Sequence, residues 1–172
     1  MNPALASWNA ASAGTALEAM LACCGARRWA AAMVALRPIG SVQELSAAAD
    51  RVWSTMEESD WMEAFACHPR IGGRPPRRTV HASAQSAAWS RQEQSPAASA
   101  AGRVSAELAA GNALYEQRFG FTYIVCATGK GAEEMLAILN RRLGSDRTTE
   151  LIEAAEQQRQ ITQIRLGKWL VE

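Results

Sequence analysis

His68 is the side chain of this sequence best set for proton chemistry. It stands in Phe65-Ala66-Cys67-His68-Pro69-Arg70-Ile71-Gly72-Gly73. A helix-like stretch runs up to it and a proline follows directly. The residue before a proline is steered out of helical geometry toward an extended one. His68 therefore leaves a helix end with its imidazole aimed by fixed backbone, and imidazole exchanges protons near neutral pH. The competing reading is a histidine that caps or packs at a helix terminus. Arg165 is a second candidate. The apolar stripe of the last helix passes through Leu151, Ala155, Gln158, Ile161 and Thr162 and then reaches Arg165 and Trp169, which puts the guanidinium on the inward face. A guanidinium cannot shed its proton, so a buried one needs an anionic partner. That anion is either a protein carboxylate or a substrate.

The elements that position these groups are helical. Leu17, Met20, Leu21 and Cys24 fall on one helix face, and Gly25 can end that helix. Trp29, Met33 and Leu36 mark a second, stopped before Pro38. Ser41 and Glu44 have capping-box spacing ahead of Leu45, Val52, Trp53 and Met56. Asp60 is suited to cap the short helix of Trp61, Ala64 and Phe65 that leads to His68. Residues 72–82 are rich in Gly, Pro and Arg and read as an exposed loop. Ser83 to Gln94 reads as a helix. A new one starts near Ser95-Pro96, since proline suits the first helical position. It carries Val104, Leu108, Leu114, Tyr115 and Phe119 to a stop at Gly120, with Gly111 as a weak point. Met135, Leu136, Ile138, Leu139 and Leu143 mark the next helix, and the last runs from about Thr148 toward Trp169.

Phe121 to Cys126 is the one strand-like run, and no partner strand is evident. It is expected as a buried extended segment or irregular helix within an otherwise all-α, single compact helical domain over residues 1–172. Its backbone groups then need other partners, which are side chains or a bound ligand.

Composition narrows the classes further. The chain has 172 residues and a formal charge of +1, with both signs interspersed. It lacks the basic stripe of a nucleic-acid-binding surface. Arg74-Pro75-Pro76-Arg77-Arg78 is the local exception and reads as a solvated loop. Cys23, Cys24, Cys67 and Cys126 form neither a C-x-x-C pair, nor zinc spacing, nor the disulfide pattern of a secreted domain. His68 and His81 are too few for most transition-metal cages. No metal and no cofactor are expected. The N-terminus lacks a signal-peptide pattern, and no apolar run is long enough to span a bilayer. A cytoplasmic protein without membrane or nucleic-acid partners is the default.

Several segments occur together in a recognisable order. They are His68-Pro69 followed by glycine, Ser90-Arg91-Gln92-Glu93-Gln94, Arg118-Phe119-Gly120-Phe121-Thr122-Tyr123-Ile124-Val125-Cys126-Ala127, and Ile161-Thr162-Gln163-Ile164-Arg165-Leu166. Upstream, Arg37-Pro38-Ile39 is similar to an Arg-Pro-Phe element. The series resembles the 2-oxo-4-hydroxy-4-carboxy-5-ureidoimidazoline (OHCU) decarboxylases of urate degradation, over nearly the whole chain. The resemblance implies an all-α, cofactor-free homodimer that releases carbon dioxide from OHCU and yields (S)-allantoin. It implies catalytic roles for His68, Glu93 and Arg165. It also implies substrate contacts from Pro69, from Ser90, Arg91, Gln92, Glu93 and Gln94, and from Tyr123, Ile124, Val125, Cys126 and Ala127, the last group largely through backbone. Arg70-Ile71 stands where many relatives carry Asp-Leu, which places a cation near His68 where an anion is usual. Gln157 and Gln160 replace residues that are often charged.

Two rival readings differ in class. One is a hydrolase acting on the preceding intermediate, 5-hydroxyisourate; the known hydrolase of that step has a β fold unlike this helical sequence. The other is a non-catalytic helical ligand- or partner-binding module using Trp53, Trp61 and Trp89, although tryptophans at helical spacing more often belong to a core.

Overall fold

Short polar side chains set most helix starts. Asn2 accepts from the Leu5 N–H ahead of α1 (Pro3–Ala10), and Ser12 accepts from the Thr15 N–H ahead of α2 (Ala13–Cys23). After α3 (Arg27–Ala35), Ser41 accepts from the Glu44 N–H and opens α4 (Val42–Trp53). The Glu44 carboxylate returns the favour to Gly40 N–H at 2.8 Å, one residue upstream of the strict capping-box partner. In α5 (Glu58–Ala66) Asp60 is not the cap. It lies in the first turn and accepts from the Glu57 N–H at 3.0 Å, so the helix opens earlier than expected. Ser83 caps α6 (Ala84–Glu93) by accepting from the Ser86 N–H. The remaining helices are α7 (Gly102–Phe119), α8 (Ala132–Arg142) and α9 (Arg147–Trp169). Gly120, at φ +82°, turns the chain out of α7 in the left-handed conformation that favours glycine.

The structure, a computed structural model, describes residues 2–72, 83–95 and 102–172. The Arg74–Arg78 loop, His81 and the helix start at Pro96 lie outside them. Among the described residues there are nine α-helices and no strand, as the all-α reading expects. No helix there is long and apolar enough to cross a membrane.

The chain divides into two compact units, Met1–Ala64 with Arg159–Glu172, and Phe65–Gln158. The first buries Leu5, Met20, Trp29, Met33 and Leu45. Two of its tryptophans also satisfy their indole donors: Trp8 Nε1 donates to Ala16 O and Trp29 Nε1 to Ala49 O. Arg37 donates to the carbonyls of Trp8 and Ala11 at 2.7 and 2.9 Å, which supplies partners and positive charge to the end of α1.

The second unit is built around Phe65, Tyr115, Phe119, Phe121 and Tyr123, whose rings meet edge-on or tilted. Gly111 is the near-contact point between α7 and α8. A Cβ there would lie 2.6 Å from Leu139 Cδ2. The glycine that weakens the helix locally is thus the one that admits its neighbour. Leu114, expected in the core, is 52% exposed. It sits one position before Tyr115, which takes the inward direction.

Candidate active site

His68 lies just beyond α5. Its own N–H donates to Phe65 O at 3.1 Å, a tightened last turn that fixes where the side chain leaves the helix. The half-buried ring meets α9 through Nε2, which is 2.7 Å from Gln158 Oε1. An amide oxygen only accepts, so Nε2 carries a hydrogen in this contact. Gln158 is fully buried. Its signal in the sequence is a glutamine between Ala155 and Ile161 on the inward stripe of α9.

α6 presents Ser90, Glu93 and Gln94 at i, i+3 and i+4, one face of a helix. Ser90 is buried, Glu93 and Gln94 are half-buried, and Arg91 and Gln92 are exposed. Gln94 Nε2 donates to Pro69 O at 3.3 Å, which ties the end of α6 to the residue after His68.

Residues 122–127 are neither helix nor strand, and Tyr123 to Ala127 are all buried. Side chains serve much of this backbone. Cys126 N–H donates to Gln157 Oε1 at 2.8 Å, Lys130 Nζ donates to Cys126 O at 2.9 Å, and Arg142 Nη1 donates to Ile124 O at 2.6 Å. The Tyr123 hydroxyl donates to Met135 O at 3.1 Å. Consecutive glutamines of α9 therefore hold the two sequence-predicted parts of this unit: Gln158 the imidazole, Gln157 the irregular run. Gln157 in turn donates to Glu153.

Behind the run lies a buried polar network. Arg142 and Glu150 are 3% and 1% exposed. Arg142 Nε donates to Glu150 Oε1 at 2.6 Å, and Glu150 also accepts from the Tyr115 hydroxyl. The Arg142 guanidinium sits over the Tyr123 ring, 4.9 Å from its centroid. Burial pushes the Tyr115 and Tyr123 phenols well above their ordinary range, against the pull of Arg142. Burial opposes the charge on Arg142, and the hydrogen bond to Glu150 with the neighbouring phenols outweighs it, so its proton is held more firmly than usual. Sequence reading missed Arg142, Gln157 and Gln158 as positioning groups.

Arg70, the departure that introduces a cation, closes on Glu116, with Nε 2.7 Å from Oε1. That hydrogen bond, then the carboxylate's charge, raises its proton affinity. Its charge is thus matched by a carboxylate from α7. Arg165 belongs to the other unit and is 2% exposed, on the inward face expected of it. It follows Gln158 by seven residues on α9, about two helical turns. Burial pushes the nearby Cys23 thiol far up, against the pull of Arg165. All four cysteines are buried thiols. Trp53 and Trp89 are buried and Trp61 is half-buried, which favours the core reading of the tryptophan stripes.

A model of the OHCU decarboxylase family matches residues 9–167. The chain belongs to that family. It is 36% identical over 147 residues to the uric acid degradation bifunctional protein TTL of Arabidopsis thaliana, covering 85% of this chain and 44% of that protein. It therefore spans under half the length of that relative. It is 32% identical over 143 residues to the 2-oxo-4-hydroxy-4-carboxy-5-ureidoimidazoline decarboxylase of Amia calva, covering 80% of this chain and 77% of that one. Among solved structures, an OHCU decarboxylase crystallised in the presence of (S)-allantoin superposes with a TM-score of 0.74 at 32% identity. The match covers 88% of this chain and 96% of that one. An (S)-allantoin synthase matches with a TM-score of 0.70 at 16% identity over 96% of this chain and 53% of that one, a likeness of fold alone.

Proposed function

We propose that this chain decarboxylates OHCU to (S)-allantoin and carbon dioxide without a cofactor, as a cytoplasmic homodimer. The observation that carries the reading is the family match over residues 9–167, a span that contains all the motifs named above.

The substrate's electronics suit such a reaction. Breaking the bond between carbon 4 and the carboxylate leaves an electron pair that forms a double bond to carbon 5. The carbon–nitrogen π pair at carbon 5 moves onto the ring nitrogen, which takes a proton from solvent. The 4-hydroxyl then gives up its proton as the carbonyl forms, and carbon 5 gains one. The ring imine is the electron sink that a pyridoxal or thiamine cofactor would otherwise supply. What the protein must add is orientation and proton placement.

In this reading His68 takes the 4-hydroxyl proton and delivers a proton to one face of carbon 5. That step fixes the S configuration. Glu93 holds ureido or ring N–H groups or orients His68, with Ser90 and Gln94 beside it. Arg165 offers a planar pair of donors to a carboxylate or carbonyl oxygen. The backbone from Tyr123 to Ala127 reads the donors and acceptors of the ring, and Pro69 borders it. Arg91 and Gln92, both exposed, contribute through the placement of their neighbours.

The test is freshly generated OHCU with circular dichroism detection of the allantoin formed. Stereospecific production well above the uncatalysed rate is expected. Racemic product at the background rate would refute the activity. His68→Asn should keep the fold while decarboxylation falls at least about a hundredfold, the low end for acid–base catalysis; near-normal turnover would remove His68 from the mechanism.

A further inference from the structure

We infer that Gln158 is a positioning residue that orients the His68 ring by taking the Nε2 hydrogen on its amide oxygen, and that it does so without placing a charge against the imidazole. This deepens the proposed function and rests on its assignment of proton transfer to His68.

The contact is a hydrogen bond of 2.7 Å between His68 Nε2 and Gln158 Oε1, from groups 90 residues apart. Gln158 is fully buried within the 23-residue α9. Its neighbour Gln157 is held on both sides, by the Cys126 N–H at 2.8 Å and Glu153 at 3.1 Å. The register of α9 is thereby pinned where it touches the imidazole. The chemical choice at position 158 lies between two side chains of nearly the same shape. A carboxylate would also fix the ring, but an opposite charge at hydrogen-bond distance stabilises the imidazolium, typically by about one to three pKa units. A neutral amide fixes the ring without adding that attraction. A general base is most effective when its pKa lies near the working pH, and a carboxylate at position 158 would raise that of the imidazole.

Titratable groups on the neighbouring described elements include Asp60 and Glu63 on α5, Cys67 after it, Arg91 and Glu93 on α6, Cys126 in the irregular run, Glu150, Glu153 and Glu156 on α9, and the Arg70–Glu116 pair. Exchanging Gln158 for Glu alters charge at one position among these. A shift in His68 titration then reports that position.

The experiment uses the full chain and long-range nitrogen–proton NMR of the imidazoles. The sequence has two histidines, so His81→Gln assigns both. Wild-type His68 should show the tautomer protonated on Nε2. In Gln158→Glu its titration midpoint should rise by about one pH unit or more, and the acid limb of kcat/KM should move to higher pH by the same amount. A wild-type ring protonated on Nδ1 would overturn the inference even if the variant failed to fold. So would a midpoint unmoved in folded Gln158→Glu. A shifted midpoint with an unmoved acid limb would sustain the role of Gln158 and remove His68 from proton transfer, so the two readings fail separately.

Discussion

Replacing Arg142 by methionine should cost this protein a large share of its stability. Arg142 and Glu150 are almost wholly excluded from solvent, so exposed-pair discounts do not apply. Removing the guanidinium leaves a buried carboxylate without its counter-charge and Ile124 O without its donor. Breaking one side of a buried ion pair costs about 3–5 kcal/mol, against roughly 5–15 kcal/mol for a whole domain. At about 2–4 °C per kcal/mol for a chain of this size, Tm should fall by roughly 6–20 °C. The double variant Arg142→Met/Glu150→Gln removes the stranded charge and still offers Tyr115 an acceptor. It should regain about half of the loss. Its kcat/KM on OHCU should stay low, because Ile124 remains unheld. Urea unfolding at pH 7 followed by circular dichroism, combined in a double-mutant cycle, measures the coupling. A loss under about 1 kcal/mol for Arg142→Met, or no recovery in the double variant, would refute the reasoning.

Two further perturbations bear on the same unit. Gly111→Ala should destabilise despite the better helix propensity of alanine. The new methyl would sit 2.6 Å from the fully buried Leu139, and overpacking costs about 1–3 kcal/mol against a propensity gain of about 1 kcal/mol; a raised Tm would contradict this. The chain has two tyrosines, both buried with phenols pushed upward. Their stabilising contribution is complete below the unfolded tyrosine pKa of about 10 and is lost as pH rises above it. Tyrosinate absorbance should therefore appear together with unfolding, and its appearance in still-folded protein would refute the assignment.

The sequence by itself determined the helical class, most of the helix ends and the direction of two key side chains. Ser41, Ser83 and Gly120 act within one turn of their own position, so their roles are readable from neighbours alone. Pro69 fixes how the chain leaves α5 at His68, and the period of α9 turns Arg165 inward. Where two nearby positions serve a local role equally well, the reading slipped. Asp60 suits a cap or a first-turn carboxylate, and Leu114 competes with Tyr115 for the inward direction.

Only the tertiary structure decided the partnerships. His68 meets Gln158 across 90 residues, Cys126 meets Gln157 across 31, and Ile124 meets Arg142 across 18. No local propensity encodes such pairs. They form because burying a backbone carbonyl, an imidazole or a guanidinium without a partner costs more than bringing distant polar groups together. Gly111 makes the same point in apolar form: a residue that weakens α7 in isolation is favoured once α8 packs against it, since close packing leaves no room for a methyl group.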